Sequence, residues 1–163
     1  MRTRTIAVIV AVVIIVVAGA GAAFFLTLQA PQVQGVAVRS IDNISRSGFT
    51  LTFVITVYNP NVVGVSIKSI TYNLLLTSGN KLLSNGTSDG FQIPARGSVD
   101  IPIQSTIYFG SALSTVVQAL LTKSVMMNVN GVVTAHLLID VNVSFSQTFD
   151  AYPYISSQVS KII

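Results

Sequence analysis

Cysteine, tryptophan and glutamate are all missing from this sequence of 163 residues, and histidine occurs once. Without cysteine the chain can build no disulfide framework, no thiolate zinc site and no cysteine nucleophile. The single histidine, His136, excludes a cluster of histidine metal ligands. Packing must therefore hold the chain together.

Acidic residues are also few. There are five, all of them aspartates, and they are dispersed along the sequence. Asp42 and Asp89 lie in predicted loops and are the best candidates if a cation binds. His136 and Asp140 are placed on one predicted strand, roughly 13 Å apart and beyond hydrogen-bond reach. Phosphate-binding glycine loops, nucleophile elbows and zinc-protease motifs are absent. We therefore predict no enzyme, no catalytic residue, no cofactor and no metal site.

Charge is scarce overall, with 9% charged and 51% hydrophobic residues and a net charge of +4. Arg2 and Arg4 precede a long apolar run, and the other basic residues are scattered. Nucleic-acid binding needs a basic stripe that displaces counterions. That class of function is excluded.

The apolar run covers residues 6–28, and its only polar side chain is Thr27. A helix needs roughly 20 apolar residues to cross a bilayer. Arg2 and Arg4 place the N-terminus in the cytoplasm by the positive-inside rule. We expect residues 1–30 to form a single-pass anchor that contacts membrane lipid through residues 6–28, with the rest of the chain extracytoplasmic.

A cleaved signal peptide is the alternative, because residues 18–22 alternate alanine and glycine like a cleavage site. Cleavage before Ala23 would expose Phe24 and Phe25 to water, which favours the anchor. Export fits three candidate glycosylation triplets, which begin at Asn43, Asn85 and Asn142.

Alternation of apolar and polar side chains dominates the predicted domain of residues 31–150, which is the pattern of strands with one buried face. The pattern is clearest over residues 49–58. Six further strands are predicted over residues 33–40, 65–76, 81–84, 98–108, 125–134 and 136–149, with a polar loop at residues 85–90. We expect a bulge near Ser69, an edge strand at Pro102, and one helix over residues 111–122 capped by Ser111. The fold class is all-β, a seven-stranded immunoglobulin or fibronectin-III-like sandwich with one short helix.

Several short sequence segments carry a family resemblance. They are Asn59-Pro60-Asn61 after a long strand, residues 65–70, Tyr72, residues 84–88 and the turn at residues 93–97. Together they resemble the type 2 late-embryogenesis-abundant proteins, also called the water-stress and hypersensitive-response domain. The resemblance covers about residues 33–149. It implies a seven-stranded sandwich with one helix, a role in stress protection or binding, and no enzymatic activity.

The triplet Asn59, Pro60 and Asn61 is interpreted first as a structural corner. Pro60 favours extended backbone at Asn59, and the Asn61 amide can satisfy turn backbone groups. The tail of residues 151–163 is too apolar for a disordered end. It is expected to pack on the sandwich, or to contact a second copy or the bilayer.

The leading functional hypothesis is a membrane-anchored, non-enzymatic stress-protection or binding protein of the cell envelope, whose partners are envelope proteins or lipids. Two alternatives stay open. One is a lipid or apolar-ligand binding domain with a groove between its sheets. The other is a structural subunit of a surface layer or filament that self-associates through the tail.

Overall fold

The computed structural model describes residues 14–21, residue 23 and residues 27–156. Residues 14–21 are helical, and seven strands follow. They are β1 (Gln32–Asp42), β2 (Gly48–Tyr58), β3 (Val65–Leu76), β4 (Lys81–Ile93), β5 (Ser98–Tyr108), β6 (Met126–His136) and β7 (Asp140–Asp150). A helix α1 (Leu113–Leu121) separates β5 from β6, and a single turn α2 (Tyr152–Ile155) follows β7.

The strands form two antiparallel sheets, one ordered β1-β2-β5 and the other β4-β3-β6-β7. Their apolar faces meet in one core, where Phe53 of β2 packs edge-on against Tyr72 of β3 with ring centroids 5.3 Å apart. Ser84 of β4 and Ser105 of β5 share a 2.7 Å hydrogen bond that joins the two sheets at one side. The predicted all-β sandwich is confirmed.

Two local predictions are also confirmed. The pairing of β3 with β6 shifts register between Ile67 and Ser69, which is the expected bulge. Strand β5 is an edge strand, and exposed Pro102 lies opposite Val54 of β2. Proline has no N–H to donate, so an edge position leaves no ladder hydrogen bond unmade on its outer side.

The predicted loop at residues 85–90 is wrong, because β4 runs unbroken through it and pairs with β3 along its length. Asn85 and Gly86 resemble turn residues in isolation, but tertiary pairing overrides local preference in a strand. Gly86 has a specific reason to lack a side chain, since a Cβ there would lie 2.7 Å from the Tyr72 hydroxyl.

The predicted helix is present, although its N-cap is Ala112, which makes no side-chain capping bond. Ser111 lies instead in a 3₁₀ turn that precedes the helix. In the tail, Ala151 and Ile155 are fully buried, and the Ala151 amide donates to the Val125 carbonyl at 2.8 Å. Residues 151–156 therefore pack on the sandwich, while residues 157–163 lie outside the described part of the chain.

The antiparallel order gathers the connections at two ends of the sandwich. The proximal end is where the chain enters β1, and it carries the loops of residues 59–64, 94–97 and 137–139. The distal end carries the remaining connections, α1 and α2. Much of the predicted anchor of residues 6–28 lies outside the described residues, and within the described ones no helix is long and apolar enough to span a membrane.

Candidate functional site

The corner that follows β2 is built around two buried asparagines. The backbone N–H of Asn59 donates to the Gly97 carbonyl at 2.9 Å, and Pro60 then turns the chain away from the sheet. The Asn59 amide nitrogen donates to the carbonyls of Val63 at 2.8 Å and Pro94 at 3.0 Å. One side chain thereby joins the loop of residues 59–64 to the loop of residues 94–97.

Asn61 makes a second set of bonds, and these reach the N-terminal segment. Its Oδ1 accepts the N–H of Gln29 at 2.7 Å, and its Nδ2 donates to the Gln29 carbonyl at 2.8 Å. A side-chain amide thus pairs with the peptide groups of one residue, much as one strand pairs with another. Nδ2 also donates to Asn59 Oδ1 at 2.8 Å, so the two asparagines form one network.

The network satisfies the polar groups that it buries. Asn59 Oδ1 accepts a second bond from the Asn61 backbone N–H at 3.0 Å, and the Arg96 N–H donates to the Asn61 carbonyl at 2.9 Å. Across the described residues, no buried side-chain nitrogen or oxygen lacks a partner. Leaving one such group unpaired costs about 1–3 kcal/mol, so each asparagine is hard to replace.

His136 and Asp140 lie in hydrogen-bond contact, so the sequence-based separation of roughly 13 Å is wrong. His136 Nδ1 lies 2.7 Å from Asp140 Oδ1, and Lys68 Nζ lies 2.6 Å from Oδ2. The prediction treated both residues as part of one strand. In the structure β6 ends at His136 and β7 begins at Asp140, so the two residues face each other across a hairpin.

The hydrogen bond from Lys68 lowers the pKa of Asp140, and the bond from His136 lowers it further. All three side chains are about half exposed, so solvent screens the ion pair and its effect on stability is small. Within the described residues no group of three His, Cys, Asp or Glu side chains could hold a metal ion. The three side chains form a solvent-screened cluster at the base of the hairpin.

Comparison with known families decides the relationship of the chain. A family model described as late embryogenesis abundant protein matches residues 54–148, which is more than half of the sequence. The chain belongs to the type 2 late embryogenesis abundant family. The match begins within β2 and ends within β7, so it includes the Asn59-Pro60-Asn61 corner and the proximal loops.

Solved structures support the fold of this late embryogenesis abundant domain. A protein from Archaeoglobus fulgidus is similar with a TM-score of 0.55 at 10% identity, over 73% of this chain and 95% of its own. A protein from Arabidopsis thaliana gives 0.58 at 12% identity, over 76% and 85% of the two chains. A provisionally assigned late embryogenesis abundant protein gives 0.50 at 17% identity, over 86% and 84%. No curated protein sequence matches the chain significantly.

The three predicted glycosylation asparagines all lie on the surface of the domain. Asn43 occupies a left-handed turn with φ 52° after β1, Asn85 lies on edge strand β4, and Asn142 lies on β7. The Oδ1 of Asn142 accepts a 3.0 Å bond from the Thr134 hydroxyl. Their modification stays a prediction.

Sequence reasoning missed the hairpin of residues 137–139. It placed residues 137–139 inside one strand over residues 136–149, whereas Leu138 and Ile139 are 56% and 73% exposed at a turn. Leu28, at the end of the apolar run, lines a groove of about 290 Å³ with this hairpin and Val141. The doublet Leu137-Leu138, which interrupts the alternation, was the available signal.

Proposed function

We propose that this late embryogenesis abundant domain is a non-enzymatic binding module of the cell envelope. Residues 6–28 anchor it in the membrane, the sandwich lies on the extracytoplasmic side, and it protects neighbouring components under stress. The observation that carries the proposal is the family match over residues 54–148. Arg2 and Arg4 ahead of the apolar run support the orientation.

We also infer that the sandwich is of the immunoglobulin or fibronectin-III type. Strands β1, β2 and β5 face the sheet of β4, β3, β6 and β7, with β3 and β6 paired at the centre of the larger sheet. Such sandwiches typically present loops and sheet faces to partners. The fold type therefore supports a binding role.

The outer face of β6 and β7 has the chemistry of a polar contact surface. Asn128 donates to the hydroxyls of Ser146 and Thr148, each at 3.0 Å, and Asn130 donates to Asn128 Oδ1 at 2.9 Å. These groups are uncharged. They suit partners that exchange hydrogen bonds with the domain at an affinity that depends little on salt.

The interior favours this role over an apolar-ligand groove between the sheets. Leu51, Phe53, Ile70 and Leu74 are fully buried, and Phe53 contacts Tyr72 directly across the sheets. Opening a groove there would break the core. Bound lipid in the purified protein, identified by mass spectrometry, would support that alternative instead.

Three measurements test the proposal. Protease added to intact cells should digest the sandwich of the wild-type chain, and the Arg2→Glu, Arg4→Glu double variant should be partly protected, because without the positive-inside bias a fraction of its chains inserts in the opposite orientation. Deletion of the gene should reduce survival of drying or osmotic shock, with rescue by the wild-type chain. Unchanged survival, together with no effect of the purified chain on aggregation of a heated client enzyme, contradicts the protective role.

The surface-layer alternative is tested by native mass measurement of the detergent-solubilised chain. A monomer at cellular concentration argues against it. Assembly that disappears when residues 157–163 are deleted would support it, because residues 151–156 already pack within one chain.

A further inference from the structure

The proximal end of the sandwich exposes aliphatic side chains where loops usually carry polar ones. Val62 is 55% exposed and Val63 40%, and Leu138 and Ile139 form the tip of the β6-β7 hairpin. Tight hairpin turns normally use Gly, Asn, Asp or Ser. A cluster of exposed aliphatic residues at one end of a domain marks an interaction surface.

These side chains belong to neighbouring loops. Ser66 at the start of β3 pairs with His136 at the end of β6, so the loop of residues 59–64 and the hairpin of residues 137–139 leave the larger sheet side by side. Leu28 completes the surface, because it lines the groove beside the hairpin. The apolar run of residues 6–28 therefore ends against the exposed hairpin.

The segment of residues 29–31, which joins the apolar run to the sandwich, is held close to the domain. Gln29 is held at both its N–H and its carbonyl by Asn61, and Pro31 is buried before β1 begins at Gln32. Two hydrogen bonds and a buried proline keep the end of the apolar run close to the domain. Whatever surface holds residues 6–28 is thereby brought to the proximal end.

We propose that the proximal end docks on the same bilayer that holds residues 6–28, with Val62, Val63, Leu138 and Ile139 inserted among the lipid headgroups. The inference rests on the anchoring described under Proposed function. The aliphatic surface is continuous with Leu28, which is the last residue of the apolar run, so the partner of this surface is lipid rather than a protein. Exposed Arg96 at this end can reach lipid phosphates while the aliphatic tips insert.

Fluorescent labels test the docking, because the chain has no native cysteine to compete for them. Single variants Val62→Cys and Ile139→Cys, made in the full chain, carry an environment-sensitive fluorophore. Ser78→Cys, at the distal end, is the matched control. Each chain is reconstituted into phosphatidylcholine vesicles with and without phosphatidylglycerol and with spin-labelled lipids as quenchers.

Docking predicts blue-shifted emission and lipid quenching for labels at positions 62 and 139, with the label at position 78 quenched by aqueous iodide instead. In the Leu138→Ser, Ile139→Ser double variant, the label at position 62 should again be quenched by aqueous iodide. The thermal unfolding of this variant should be unchanged, because both side chains are exposed. Loss of quenching only in vesicles without phosphatidylglycerol would support a contribution from Arg96.

Alkaline extraction separates the two proposals. If the chain leaves the vesicles at high pH, the anchoring itself is wrong and the docking falls with it. If the chain stays in the membrane but the label at position 139 is as open to iodide as the control, the docking alone is overturned. Protection from iodide without lipid quenching overturns it as well, because a protein then covers the surface.

Discussion

Replacing Asn61 with alanine removes three hydrogen bonds, two to Gln29 and one to Asn59 Oδ1. A typical internal hydrogen bond contributes about 1 kcal/mol net, so the expected loss of unfolding free energy is about 2–3 kcal/mol. Domains of this size are stable by roughly 5–15 kcal/mol. A loss of this size corresponds to a fall in Tm of roughly 10 °C.

Urea unfolding of the full chain in detergent, followed by near-UV circular dichroism, measures the effect. The chain has no tryptophan, and buried Tyr72 against Phe53 supplies an aromatic signal from the core. Asn73→Ala is the matched control, because Asn73 is exposed in the middle of β3 and its loss should change stability by less than about 0.5 kcal/mol. Equal effects of Asn61→Ala and Asn73→Ala would refute the role assigned to the network.

The further predictions concern charge and glycine positions. Asn61→Asp should destabilise the domain more than Asn61→Ala at pH 7, since a buried carboxylate would face the acceptors Asn59 Oδ1 and Gln29 O; thermal unfolding at pH 7 checks this, and equal melting would contradict it. Lys68→Met should raise the pKa of Asp140 toward its ordinary 3.8, as NMR titration would measure. The folded pKa of Asp140 is lowered, so its contribution to stability is present above pH 3.8 and is lost as the pH falls through the folded pKa. Lys68→Met should weaken this acid dependence of stability. An unchanged dependence of stability on pH would argue against the ion pair. Gly86→Ala should destabilise the domain by about 1–2 kcal/mol, because the added methyl group meets Tyr72. Gly35→Ala should be nearly neutral, because the space around Gly35 is open. Chemical denaturation measures both variants, and a larger loss for Gly35→Ala would contradict the packing.

Strands with strict alternation could be predicted from the sequence. Strand β2 was recognisable because apolar residues alternate with threonines along it, and Pro102 identified the edge position of β5 because proline cannot donate to a ladder. The bulge near Ser69 followed from a change of parity within one apolar run. Each of these signals is local, which is why sequence alone contained it.

Features that depend on distant partners could not be predicted. Strand β4 contains the turn-like residues Asn85, Gly86 and Gly90, and only its pairing with β3 keeps them extended. The bond between Asn61 and Gln29 joins residues 32 positions apart through a backbone group that has no side-chain signature. The hairpin at residues 137–139 is a different case: its three residues are as apolar as a strand interior, and only the Leu137-Leu138 doublet signals the break in alternation.

The topology also decides how the domain responds to tension. The chain enters β1 at the proximal end and leaves the described region at the distal end, after β7. A pull between a fixed N-terminus and a partner held near residue 156 therefore acts along the strands. The hydrogen bonds between β1 and β2 are then sheared, so that they are all loaded at the same time. The hydrogen bonds between Asn61 and Gln29 are loaded first, because Gln29 lies before β1 along the chain. A domain arranged in this way resists extension between its two ends without unzipping one bond at a time.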